Sequence, residues 1–196
     1  MLTYTIAMIF LLITPGPGVL TVAGVGAGFG FRAGVPYALG IVAGSHIVTA
    51  LVVSGVAAAA FAIPNVRNVL LALSTAYLLY LAMRIALAGN RIGFIEAQSV
   101  PNFANGAVLS AINPKGYAVL TTVFSGFAIY PENFWLEVAV KVAIMLAIQI
   151  PVHLLWLAAG ATLKQLAPSP GVARTINIAM ALAMVAVVAL AVFSAL

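Results

Sequence analysis

The chain is a succession of apolar runs, each well beyond ten residues, parted by short connections that gather Gly, Pro and a few charges. Few folds accept that pattern. A transmembrane β-barrel alternates apolar and polar residues along each strand, so long apolar runs argue against one. A soluble domain carries roughly 25% charged residues. Here 6% of 196 residues are charged: eight Lys/Arg and three Glu, with no Asp. Apolar classes make up 65%, and the mean hydropathy is +1.23. The solvent for most of this surface is lipid. A membrane helix takes roughly 20 mostly apolar residues, so six of them nearly exhaust the chain.

The expectation is therefore an all-α polytopic membrane protein, a single transmembrane domain over residues 1–196. Its spans are predicted at about 3–24, 36–61, 68–88, 103–128, 137–162 and 174–195. The apolar N-terminus lacks a basic n-region and runs into Pro15-Gly16-Pro17 rather than a small-residue cleavage site. It is read as the first span, not as a signal peptide.

Several functions drop out. With no Cys, disulfides, thiolate metal sites and thiol electron transfer are excluded. Two His without acid or thiol partners are too few for a closed metal site, and no cofactor is expected. The net charge of +5 is scattered singly, which argues against nucleic acid as a partner. The glycines from Gly24 to Gly44 give small-xxx-small spacings that let helices pack closely, within the chain or in a homodimer. No Walker lysine follows them, so they are not a nucleotide loop.

The positive-inside rule compares connections one, three and five (Arg32, Arg84, Arg91, Lys164, Arg174) with connections two and four (Arg67, Lys141). Five against two makes the odd connections cytoplasmic and places both termini outside.

The two halves then match. Span one is broken by Thr14-Pro15-Gly16-Pro17-Gly18, span four by Asn113-Pro114-Lys115-Gly116. Pro15 and Pro114 are 99 positions apart, about half the chain. Each break falls in the first span of a set of three, and three spans is an odd number. The second set (about 100–196) must therefore run opposite to the first (about 1–90), as two inverted three-helix repeats. Interrupted spans at matching positions point to the substrate site of a secondary transporter. Proline removes a backbone donor and clashes with the carbonyl four residues earlier. In hydrocarbon such freed groups must face protein or a wet cavity. Half-helix N-termini attract carboxylates there, and freed carbonyls attract ammonium groups. An amino acid carries both charges.

Candidate site residues follow. Lys115, near mid-span, costs several kcal/mol at bilayer depth unless it has a use. It is suited to a substrate carboxylate or to releasing a proton. Asn113 binds substrate or caps a half-helix, and Thr14 offers a hydroxyl at the matching place. His46 and His153 occupy the second span of each half and are the natural proton carriers where carboxylates are absent. Gln149, Pro151 and His153 form a polar, kinked patch. Tyr77 and Tyr80 are read mainly as packing, Trp135 as an interface anchor.

These motifs, followed by Gly34, Gly40–Gly44, Tyr77-Leu78-Leu79-Tyr80-Leu81 and Phe103-Ala104-Asn105-Gly106, resemble the LysE/RhtB family of amino-acid exporters over nearly the whole chain. The resemblance implies a prokaryotic inner-membrane exporter driven by protons. It also implies that Pro15, Gly16, Pro17, Asn113 and Pro114 are signature positions. Many relatives carry an acid near the Gly40–Gly44 stretch, where this chain has Ser45-His46. That departure argues against a strongly cationic cargo.

The reading is export of a small amino acid or related zwitterion by proton antiport, with Thr14, Pro15, Gly16, Pro17, Asn113, Pro114 and Lys115 at the substrate. His46, His153 or Gln149 would serve proton coupling. The rivals are an inorganic-ion transporter or channel and a non-transporting scaffold. No nucleophile–base pair supports an enzyme.

Overall fold

The computed structural model describes residues 1–14, 16–63, 100–166 and 169–193, with scattered positions between 65 and 87. Most of the expected third span, with Arg67, Tyr77, Arg84 and Arg91, lies outside the described residues, as does Pro15. Among the described residues there are helices and no strands: α1 (Leu2–Ile13), α2 (Pro17–Phe29), α3 (Phe31–Val53), α4 (Val56–Phe61), α5 (Phe103–Ala111), α6 (Pro114–Gly126), α7 (Phe134–Gln165) and α8 (Pro170–Phe193).

Two of these, Phe31–Val53 and Phe134–Leu163, are long and apolar enough to cross a membrane on their own. Helices α1 and α2 reach that measure as a pair, bent by 53° at the first break. The second break separates α5 from α6 at Ile112 and Asn113. Proline opens α2, α6 and α8, the one helical position where its missing N–H costs nothing. Asn102 starts α5 in a reciprocal capping box with Asn105, at 3.0 Å in both directions.

One connection differs from expectation. The glycine run Gly24–Gly34 is not a loop. Helix α2 continues to Phe29, and Gly30 alone turns the chain, at φ +88°. A side chain would be strained in that left-handed conformation. Within that helix Gly26 has a neighbouring backbone where a side chain would be, while Gly28 faces open space.

That close packing organises the bundle. A Cβ on Gly26 would run into Leu157 O, and one on Gly160 into Ala23 O. So α2 lies backbone to backbone on α7. Gly40 meets Phe103 O, Gly44 meets Ala107 O and Gly106 meets Tyr37 O, which seats α3 on α5 in the same way. Each broken segment thus leans on an unbroken helix from the other half of the chain. The pairs run in step, Tyr4 beside Lys141 and Gly26 beside Leu157. Helices α3 and α7 run in opposite directions, Ser45 beside Gln149 and Thr49 beside Met145.

These pairings define two ends. At the glycine end Val22, Val25, Tyr37, Ala38, Ile41, Leu109 and Leu157 form an apolar cluster, and Arg32 and Arg174 are exposed. At the opposite end Tyr4, Met8, Val48, Leu120, Val123 and Met145 pack together.

The second end holds a departure from the sequence reading. Lys141 is not a charge on a connection. It lies inside α7 with 1% of its surface exposed, and its ammonium is 2.6 Å from Glu137 Oε1, one turn earlier. It also donates to Phe124 O at 2.9 Å. The other Glu137 oxygen accepts from the N–H groups of Ile129 (2.9 Å) and Tyr130. Tyr4 donates its hydroxyl to Lys141 O at 3.1 Å, and its ring meets Phe127 edge-on. The pairing exists because a buried charge needs a partner. It ties α1, the end of α6 and the start of α7 together, and it removes Lys141 from the count of free positive charges.

Candidate functional site

Between the two ends lies a cavity of about 80 Å³. Both breaks open onto it. The first contributes Gly16 and Gly18, the second Asn113, Lys115 and Gly116. Ser45 of α3, Ser110 of α5 and Gln149 and His153 of α7 add polar groups. Met8, Leu11, Leu12, Val119, Leu120 and Met145 supply an apolar wall on the side of the Tyr4 end.

Lys115 joins the two breaks. Its main-chain N–H is capped by Asn113 Oδ1 at 3.1 Å, which fixes the first turn of α6. Its side chain crosses to the other half of the chain, where the ammonium donates to Thr14 O at 2.7 Å. Thr14 is the C-cap of α1, where unpaired carbonyls and the helix dipole favour a cation. The arm lies directly over Gly16. A Cβ there would stand 2.8 Å from Lys115 Cδ and 3.0 Å from Nζ. Glycine at 16 thus leaves room for the lysine rather than a special backbone conformation, since its φ of −164° is ordinary extended chain.

The cavity is also flanked by two half-helix N-termini. Helix α2 begins at Pro17 with Gly16 as an N-cap that offers no side chain. Helix α6 begins at Pro114 behind Asn113. The positive ends of both dipoles point there, although the first N–H groups of α6 are already met, Lys115 by Asn113 Oδ1 and Gly116 by Asn113 O. With Lys115, three sources of positive potential surround one small space.

The structure gathers Gly16, Asn113, Lys115, Gln149 and His153, with Thr14 and Pro17 immediately beside them. Thr14 takes part through its carbonyl, because its hydroxyl is spent on Phe10 O at 2.6 Å. Pro114 and Pro17 set the helix starts. His46 is not in the group. It does not line the cavity: its Nδ1 lies 2.8 Å from Val42 O, and Nε2 is buried without a hydrogen-bond partner among the described residues. Among the described residues no cluster of three His, Cys, Asp or Glu could hold a metal.

Two polar lining residues were not singled out from the sequence as substrate contacts. Ser45 joins Gln149 across α3 and α7, and Ser110 lies one residue before α5 ends. Single serines in apolar helices carry no periodic signal, and only the fold brings these beside the breaks. Trp156 packs against the core clusters, while Trp135 is three-quarters exposed at the start of α7. Tyr80 is half-exposed.

Paired helix breaks that open onto one cavity are a feature found in secondary transporters. Residues 9–195 match the family described as LysE type translocator, and the chain belongs to that family. It is 30% identical over 131 residues to the leucine efflux protein of Klebsiella pneumoniae, covering 64% of this chain and 62% of that protein. It is 31% identical over 130 residues to the leucine efflux protein of Salmonella choleraesuis and to that of Salmonella typhimurium, covering 64% of this chain and 61% of each relative. The chain thus spans about three-fifths of the length of these curated relatives. No solved structure matches it.

Proposed function

We propose that this protein exports an aliphatic, zwitterionic amino acid across the inner membrane of a prokaryote, in exchange for protons. The observation that carries the reading is the convergence of both breaks on one cavity, bridged by Lys115. The cargo carboxylate takes the place where the ammonium of Lys115 and the N-termini of α2 and α6 meet. The apolar wall around Met8, Leu12, Val119 and Met145 takes its side chain. Leucine, which the relatives' names specify, has the matching chemistry.

The cavity at about 80 Å³ is smaller than the roughly 300–1,000 Å³ of ordinary ligand pockets. The Lys115 arm occupies space that cargo takes when the arm swings from Thr14 O. His153 is the better placed histidine for the coupling proton. Its Nδ1 lies 2.8 Å from Gln149 O, a group that can only accept, so Nδ1 carries a proton and Nε2 is the atom that gains or loses one. A proton on Nε2 and a cargo ammonium repel each other, together with Lys115 on the same cavity. Mutual exclusion of that kind is what exchange requires.

Two inverted three-helix repeats suit this scheme, with alternating access a rocking of one repeat against the other. Exposed Arg32 and Arg174 at the glycine end support assigning that end to the cytoplasm, with both termini outside. The test is efflux of labelled amino acids from proteoliposomes, with and without an imposed pH gradient, beside Lys115→Ala. Gradient-dependent efflux of an aliphatic amino acid, abolished in the variant, is expected. Flux of inorganic anions with no amino-acid efflux would replace this reading with a Lys115-lined anion pathway.

A further inference from the structure

The carboxylate subsite leaves the other end of a zwitterion unaccounted for. An ammonium brings three donors and no acceptor. It must find lone pairs in a cavity whose break side is electropositive. Acceptors away from the breaks are offered where Ser45 of α3 and Gln149 of α7 meet on the cavity lining.

Gln149 is 3% exposed and lines the cavity. Its amide has two N–H donors and two acceptor lone pairs. Among the described residues its side chain meets one partner, Ser45 Oγ, which lies 2.8 Å from Nε2 and 3.0 Å from Oε1. Ser45 has a single proton to give, and Val42 O at 2.7 Å also asks for it. The hydroxyl therefore satisfies at most two of the four positions on the amide. A buried amide left half satisfied costs free energy unless something else completes it. Ser45 itself is held in place, since Thr49 Oγ1 donates to its carbonyl at 2.9 Å. Whichever way the serine proton points, the amide carbonyl oxygen keeps at least one lone pair unfilled by Ser45. Gln149 has no proton to surrender near neutral pH, so it is better suited to holding cargo than to carrying the coupling proton.

We propose that Gln149, oriented by Ser45, binds the α-ammonium of the cargo and is the residue that restricts the cavity to acids with a free amino group. The proposal rests on the export reading above, because the ammonium belongs to the same cargo. It adds a division of labour. The helix breaks and Lys115 hold the carboxylate, while the α3–α7 pair selects for the amine. Each end of the cargo then touches a different pair of elements, so only a molecule carrying both groups draws them together.

The test is competition against labelled leucine in proteoliposomes containing the full chain, with unlabelled leucine and its deaminated analogue 4-methylpentanoate as probes. The wild type is expected to prefer leucine by about tenfold or more, the scale of one lost hydrogen bond to a charged group. Gln149→Leu is expected to abolish the preference, weakening leucine about tenfold while leaving 4-methylpentanoate within about twofold. Gln149→Glu, which keeps the shape and supplies an acceptor, should retain it. This second variant keeps the test informative should Gln149→Leu fail to fold. An equal loss for both probes in Gln149→Leu, or loss of the preference in Gln149→Glu, would overturn the assignment and leave Gln149 as a structural link. Failure of the wild type to take up any amino acid would instead overturn the export reading, and this inference with it.

Discussion

The two ends of the bundle are closed by different physics. At the glycine end the seal is backbone against backbone: α2 on α7 through Gly26 and Gly160, α3 on α5 through Gly40, Gly44 and Gly106. At the Tyr4 end the seal is made of side chains: the Glu137–Lys141 pair, Tyr4, Phe124 and Phe127. Contacts of the first kind have no moving part smaller than a helix. They open only when whole helices separate. Contacts of the second kind can be undone by rotating a few bonds. On the export reading proposed above, the rigid contacts lie on the face we assign to the cytoplasm and the adjustable ones on the other.

The largest effect is expected where the rigid closure is broken. Gly160→Val places two methyl groups where Ala23 O already lies, and neither backbone can yield alone. The outcome should be loss of folded protein, seen as absence of a monodisperse peak after detergent extraction. Gly126→Ala, at the other end, is the matched control. A Cβ there meets nothing within 4 Å, so the thermal midpoint should hold or rise. Equal tolerance at both sites would remove the distinction between the ends.

Much of this architecture could be read from the sequence. Proline punctuation placed the breaks at Pro15 and Pro114 correctly, because in lipid the backbone must otherwise satisfy itself, but the interruption at Ser54 and Gly55, inside the expected span 36–61, carried no proline and was missed. Lys115 stood out because a charge between apolar neighbours demands a reason. The glycine run was harder. Glycine marks a turn in one setting and a helix contact in another, and the choice depends on whether another backbone lies alongside, as Leu157 O does for Gly26. The cavity wall was harder still. Ser45 and Gln149 are 104 positions apart and meet only because α3 and α7 run antiparallel. The Glu137–Lys141 spacing of four was visible, but its burial was not, since that depends on Tyr4 and Phe124 arriving from elsewhere.

A smaller effect is expected at the adjustable closure. Glu137→Gln leaves the buried Lys141 ammonium without its counter-charge, which destabilises the fold. Glu137 also holds the Ile129 and Tyr130 N–H groups, and the amide can keep only part of that. A clear fall in thermal midpoint is expected, with protein still recoverable. Lys141→Met together with Glu137→Gln removes both charges and should recover much of the loss. Failure of the double variant to recover would mean that the pair is held by more than its own electrostatics.

The smallest expected effect sharpens the comparison most. Tyr4→Phe deletes one hydroxyl, the donor to Lys141 O, and keeps the ring against Phe127. Removing one such hydrogen bond costs about 1 kcal/mol, so the fold should survive. The chain contains no Cys, which lets single cysteines report on access without background. A cysteine at Val119 lines the cavity on the side of the Tyr4 end. If that end closes through side chains, Tyr4→Phe should raise the labelling rate of Val119→Cys by an impermeant thiol reagent applied from the Tyr4 face, by roughly the fivefold that 1 kcal/mol allows. Labelling from the glycine face should not change, because the glycine contacts that close that end do not involve Tyr4. An equal rise from both faces would mean that the two closures are coupled, and that the backbone seal opens whenever the side-chain seal does.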